Sequence, residues 1–321
     1  MGQYIQRRLI QMIPLMIGIS LVIFAVIQAA PGGPEAALFE TGRFVSPEVV
    51  ESYRQRLGVD QPVYVQYFRW ISSALRGDLG LSFSTTRPVG EMIVERLPAT
   101  LELMLAAFIF AALIAIPLGV YSALRQYSFL DFLGTGLSFL GIAMPVFWFG
   151  LMLQLLFSVN LGWLPVAGTH TVGNTSLWDH LAHLIMPTIV LSLHYIAGWS
   201  RYMRSSMLTV IHQNYITTAR AKGNNERAVV LTHAMKNALI PVVSIMALNL
   251  ANLFSGAVIT ETIFAWPGIG RLFIQAMYSR DYPLLMGILM MGSFMVVFFN
   301  LVADLVYGWL DPRISYESIE H

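Results

Sequence analysis

Few residues in this chain combine the types and spacings that chemistry requires. Phosphate cradling by a glycine-rich loop needs Gly-x-x-x-x-Gly-Lys-Ser/Thr, so that backbone amides and a lysine surround the phosphates. The chain has two lysines, and Lys222 is followed by Gly223, Lys236 by Asn237. ATP hydrolysis by that route is therefore excluded. No Gly-x-Ser-x-Gly elbow and no His-Glu-x-x-His pair occurs, and cysteine is absent, which removes thiolate metal sites and disulfides. His180 and His183 share a helix face beside Asp179, a pattern open to metal binding, but their place at the entry to an apolar stretch favours interfacial polar residues. Glu102, Gln154, His194, Asn249, Asn252, Asn300 and Asp304 fall in or near apolar stretches, where polar groups face a bundle interior or a water-filled path. They form no recognisable catalytic pair.

The most informative stretch is a polar island, Tyr215-Ile-Thr-Thr-Ala-Arg-Ala-Lys-Gly223-Asn-Asn-Glu-Arg-Ala228, set between two long apolar runs. Ala219, Ala221 and Gly223 are small enough to let a helix enter a cleft. Arg220, Lys222 and Arg227 offer charge to an acidic or dipolar surface. Gly223-Asn224-Asn225 is expected to end a short helix. Composition alone allows a plainer alternative, a solvated basic loop.

The surrounding elements belong to a membrane protein. Of 321 residues, 56% are hydrophobic and 12% charged, and the mean hydropathy is +0.64, too little polar surface for an ordinary water-soluble fold. A net charge of +1 without any run of Lys and Arg argues against a nucleic-acid partner. Six apolar runs approach the ~20 residues that a membrane-crossing helix needs. They lie at about 9–30, 101–124, 132–159, 184–203, 239–263 and 284–310. The runs lack period-two alternation, so helices are expected, with kinks at Pro14, Pro117, Pro145 and Pro187. The first run is longer than a signal-peptide core and is expected to be retained.

Counting Lys and Arg in the short connections places Arg7, Arg8, Arg125, Arg201, Arg204, Arg220, Lys222, Arg227, Lys236 and Arg313 on one side, against Arg271 and Arg280 on the other. By the positive-inside rule, both termini and the island are cytoplasmic. The organisation expected is an N-terminal segment with the first span (1–30), an extracytoplasmic loop domain (31–100), a core of five spans (101–313) with a cytoplasmic loop at about 205–238, and a tail (314–321). In the loop domain, Ser46-Pro47-Glu48 is expected to start a helix running to Leu57, and a second helix is expected over 63–75.

At the island the chain resembles the cytoplasmic coupling loop of binding-protein-dependent ABC importer permeases, in the peptide and nickel group. The closest branch is that of the first permease subunit of dipeptide and oligopeptide importers. The resemblance rests on Tyr215 to Gly223 and on His233-Ala-Met-Lys-Asn237-Ala-Leu-Ile-Pro241. It extends over nearly the whole chain through Arg7-Arg8, Ala30-Pro31-Gly32, Gly77-Asp-Leu-Gly-Leu-Ser82, Pro98-Ala-Thr-Leu-Glu102, Arg204-Ser-Ser-Met207, Glu261-Thr-Ile-Phe-Ala-Trp266-Pro-Gly268, Arg280-Asp-Tyr-Pro283 and Asp311-Pro-Arg313. The general pattern opens with Glu-Ala-Ala, where this chain has Thr217-Thr218-Ala219. His233 and Met235-Lys236 replace the Ile and Leu-Pro of its end. These departures are usual for the peptide branch.

The resemblance implies an all-α membrane protein with six transmembrane helices, of the type I ABC importer permease fold. It implies no enzyme and no cofactor in this chain; ATP and magnesium would be bound by partner subunits. The implied partners are a second homologous permease in a heterodimer, two ATP-binding subunits, an extracytoplasmic substrate-binding protein and membrane lipid. The implied location is a bacterial or archaeal cytoplasmic (inner) membrane. Coupling would fall to Tyr215, Thr218, Ala219, Arg220, Ala221, Lys222, Gly223 and Arg227. The translocation path would take Met144, Gln154, Asn249, Asn252 and Ser255. Short peptides are the expected substrate; nickel or glutathione import by the same architecture is the alternative. A membrane-embedded enzyme or a scaffold is the alternative of another class.

Overall fold

The computed structural model describes residues 2–29 and 61–310. Among the described residues the regular structure is helical, joined by turns and loops, with one isolated antiparallel bridge between Leu81 and Pro88. In chain order the helices are α1 (Gly2–Ala29), α2 (Val63–Ala74), α3 (Val89–Leu124), α4 (Phe129–Ala143), α5 (Val146–Leu153), α6 (Leu177–Ile211), α7 (Asn214–Ala221), α8 (Met235–Ile263), α9 (Ile269–Tyr278) and α10 (Tyr282–Leu310). Two π-helical turns, Gln154–Asn160 and Val229–Ala234, extend α5 and precede α8. Among the described residues five helices are long and apolar enough to cross a membrane, or up to six if the bent pair around Pro145 is one span. The helix expected from Ser46 to Leu57 lies outside the described residues, whereas the one expected over 63–75 is α2.

The single span expected over 132–159 is broken. Its halves meet at 109°, with Met144 extended at ψ 123° and Pro145 at ψ 130°. Proline lacks the N–H that would continue the helix, and its ring pushes the preceding residue out of the helical region. At Pro14, Pro117 and Pro187 the helices instead run through.

The chain divides into two compact units, one drawn from Met1–Thr100 and Pro267–Val297, the other from Leu101–Trp266 and Phe298–His321. In the first, the start of α3 meets α10 at a glycine. A Cβ on Gly287 would stand 2.5 Å from Val89 Cγ1, so only glycine permits this approach. A second tie is polar. Gly77 and Gly80, both at φ +84°, shape a turn that presents Ser82, Phe83 and Ser84 to the carboxylate of Asp281, which is fully buried at the start of α10. The carboxylate accepts from Ser82 Oγ (2.5 Å), Ser84 Oγ (2.7 Å) and the backbone N–H groups of Phe83 and Ser84 (both 3.1 Å). Hydrogen bonds to a charged acceptor are the strong ones, and here they stand in for water.

In the second unit α6 packs against α4, α5 and α8. The approach of α3 to α6 again needs a glycine, since a Cβ on Gly119 would lie 2.6 Å from the Ser200 carbonyl oxygen. Asp131, capped into the first turn of α4, receives Arg204 of α6 through two contacts of 3.0 Å each. This two-point geometry fixes the relative register of the two helices.

Candidate coupling site

The polar island folds as a helix, a turn and a second helical segment laid against the end of the bundle. Eight residues are too few to hold a helix in water by propensity alone. Ile216 and Ala219, three residues apart, supply the missing stability by turning one face of α7 inward. Ile216 is fully buried and Ala219 is 7% exposed, both in a cluster with Met203, Met207, Val229 and Ala234. Burying the isoleucine contributes about 1.5–3 kcal/mol. Ala219, expected on the docking face, faces the bundle instead, and its small size serves the close seating of α7.

Gly223 ends the helix at φ +81°, with open space where a side chain would begin. Asn224 donates to the Ala219 carbonyl (2.9 Å), and the Asn225 side chain accepts from the Ala228 N–H (2.7 Å) to cap the following segment. These bonds satisfy backbone groups that a bare turn would leave to water. From Asn225 the chain passes through Glu226–Ala228 and the π-helical turn directly into α8, so the island continues into a long apolar helix without a flexible joint.

The outward face carries Tyr215, Thr218, Arg220, Ala221, Lys222, Gly223 and Arg227, all exposed. Sequence reasoning missed two contacts there. Arg220 Nε donates to Glu226 across the turn at 2.7 Å, so its charge is met within the island. Lys222 and Arg227 remain as cations without a carboxylate partner among the described residues. Asn237, in the first turn of α8, donates to the Tyr215 hydroxyl at 2.8 Å. The six-residue separation of Arg220 and Glu226 across a glycine turn was a usable signal; no spacing rule marks the Tyr215–Asn237 bond.

The residues expected on a translocation path do not converge into one described site. Gln154 is buried, and its amide donates to the carbonyls of Val166 (2.9 Å) and Ile263 (3.1 Å). It braces the loop after the π-helical turn against the end of α8. Met144 is half-buried at the break beside Pro145, and Asn249 is half-buried on α8. Asn252 and Ser255 lie on α8, but their side chains are not among those described.

The two histidines are engaged separately. His180 places Nε2 2.5 Å from Glu102 Oε1 and Nδ1 3.0 Å from the Thr169 carbonyl oxygen, while His183 Nδ1 lies 2.8 Å from the Asp179 carbonyl oxygen. Asp179 takes the backbone N–H and hydroxyl of Thr171, each at 2.6 Å. The cluster fastens the loop 161–176 to the first turn of α6.

Comparison with known proteins agrees with this architecture. Residues 115–316 match the family described as binding-protein-dependent transport system inner membrane component. Residues 1–104 match its companion, the N-terminal part of binding-protein-dependent transport system membrane components. The oligopeptide transport system permease protein AppB of Bacillus subtilis (strain 168) is 43% identical over 318 residues, covering 98% of this chain and 100% of that protein. The dipeptide transport system permease protein DppB of Escherichia coli (strain K12) is 40% identical over 340 residues, covering 99% and 100%. Among solved structures, a chain of the MetNI methionine ABC transporter, recorded in inward-facing conformations, aligns with a TM-score of 0.54 at 16% identity. It covers 68% of this chain and 96% of that one. The fold is that of type I importer permeases. With both family models and full-length relatives in agreement, the chain belongs to the binding-protein-dependent transport system inner membrane components.

Proposed function

We propose that this chain is one permease subunit of an ATP-driven importer of short peptides, and that α7 with the Gly223 turn receives the motion of a partner ATPase. The observation that carries the reading is the anchoring of α7. Its inner face is locked into the bundle by Ile216 and Ala219, its outer face is polar and exposed, and its far end continues into α8. A push on the outer face therefore moves α8 as a body. Full-length similarity to oligopeptide and dipeptide permeases supports peptide as the cargo class.

In this reading the chain supplies half of a path completed by a second, homologous permease. Two ATP-hydrolysing subunits bind on the side of the island, which is cytoplasmic along with both termini, and an extracytoplasmic binding protein delivers substrate. Segment 31–100 is the extracytoplasmic domain, and Asn249, Asn252 and Ser255 on α8 contribute to the path. Two global states are biased by nucleotide and by the binding protein, which is allosteric coupling between distinct sites. The test is uptake of radiolabelled di- and tripeptides into proteoliposomes holding the whole complex. ATP-dependent accumulation that fails when the island is altered supports the reading; accumulation independent of ATP, or indifferent to the island, overturns it.

A further inference from the structure

Helix α2 carries three faces rather than two. At about 100° per residue, Tyr67, Trp70 and Ala74 point one way, and Tyr67 is buried. The next sector holds Tyr64, Phe68 and, at the C-cap, Leu75, a stripe of large apolar side chains that are 66%, 66% and 82% exposed. The remaining sector is mainly polar and includes Arg69, with Arg76 following in the turn after the helix, both exposed and without a carboxylate partner among the described residues.

The depth at which α2 docks on α1 decides what covers that stripe. The Tyr67 hydroxyl lies 2.9 Å from Ser20 Oγ, and its ring meets Phe24 edge-on at 5.4 Å. The apolar stretch of α1 is Ile10–Ala29, and Ser20 lies near its middle. Nine residues separate Ser20 from Ala29, about 13 Å at the ~1.5 Å rise of a helix. A side chain reaches only about 5–6 Å from its helix axis, somewhat more for tyrosine. Helix α2 therefore sits several ångströms inside the level of Ala29, within a hydrocarbon layer about 30 Å thick.

We infer that α2 is an in-plane membrane helix, with the stripe of Tyr64, Phe68 and Leu75 immersed in acyl chains and Arg69 and Arg76 at the level of lipid phosphates. The three sectors fit that placement: one face on α1, one in lipid, one toward the headgroups. Interfacial helices of this kind sink their apolar face roughly 5–10 Å into the headgroup–acyl boundary. The lipid surface is thus a partner of this segment of the extracytoplasmic loop domain.

The cysteine-free sequence makes the test direct. Phe68→Cys, Leu75→Cys and Ser72→Cys, each carrying a nitroxide label, are prepared in the full complex with the other subunits' cysteines removed, and reconstituted in liposomes. Collisions with oxygen, which concentrates in lipid, are compared with those of a water-soluble nickel chelate. Oxygen dominating several-fold at positions 68 and 75, with the chelate dominating at 72, is the expected result. Chelate dominance at 68 and 75 overturns the inference in favour of a water-exposed helix. Shielding of both from both reagents overturns it in favour of a protein cover, such as residues 30–60 or another subunit. Tyr64→Cys gives the same reading should one variant fail to assemble.

Discussion

Asn237 Nδ2 donates to the hydroxyl of Tyr215 at 2.8 Å, so the first turn of α7 is bonded directly to the first turn of α8. The same Asn237 amide also reaches the His233 carbonyl at 3.2 Å. Tyr215 is thus both part of the exposed face and a strut behind it. Tyr215→Phe removes the acceptor while keeping the ring. A bond of this type is worth about 0.5–1.5 kcal/mol, and the expected outcome is a several-fold rise in ATP hydrolysed per substrate moved, with complex assembly unchanged on size-exclusion chromatography.

Ile216 sets the rigidity of the island. Replacing it with alanine leaves every exposed residue in place, yet is expected to destabilise the seating of α7 by about 2–4 kcal/mol. Faster backbone hydrogen exchange confined to 214–234, together with impaired uptake, is the expected pair of results. Normal uptake with α7 exchanging freely would separate coupling from rigidity and refute the mechanism.

Gly223 has room for a side chain but a backbone that resists one. A non-glycine residue in the left-handed region costs about 1–2 kcal/mol, least for asparagine. Uptake per ATP is expected to fall in the order Gly, Asn, Ala, Val at this position, with the bundle still folded. An order that followed side-chain volume regardless of left-handed preference would mean that a steric contact, not the turn, is what matters.

Gly119 reports helix approach rather than turn geometry. Gly119→Ala is expected to cost about 1–3 kcal/mol by overpacking against α6, visible as a lower melting temperature of the purified complex. Gly136→Ala, where nothing lies within 4 Å of the added carbon, serves as the neutral control.

Asp281 gathers hydroxyl and backbone donors from 82–84. Asp281→Ala strands those donors in a dry site, a loss on the order of 3 kcal/mol. Faster proteolysis within segment 77–88 in intact complexes is the expected signature, and unchanged protection would show that water replaces the carboxylate.

Hydropathy located the long helices well because lipid demands apolar side chains, but it does not report where a helix ends. Helix α3 begins at Val89, twelve residues before the apolar run at Leu101, because Glu91, Glu95 and Arg96 are compatible with a helix though not with lipid. Helix α6 likewise runs on to Ile211. Pro145 was legible as a disturbance but not as a 109° break, since the bend depends on what each half packs against. In the candidate coupling site, the turn at Gly223 was readable from residue type alone. The inward face was readable too, from the spacing of Ile216 and Ala219, whereas small size alone does not tell an inward from an outward contact. Gln154 marks the limit of residue type: polarity inside an apolar run signals only that a partner exists, and here the partners are backbone carbonyls distant in sequence.

The cage around Asp281 closes over a separation of 199 residues. During synthesis the turn at 77–84 emerges long before the carboxylate that fills it, because α3 to α9 lie between them in the chain. Until α10 is made, the first unit holds this turn by its local bonds alone, among them Thr85 to Ser82 Oγ. Closure of this polar turn is thus a late event in assembly, since it requires an element 199 residues downstream.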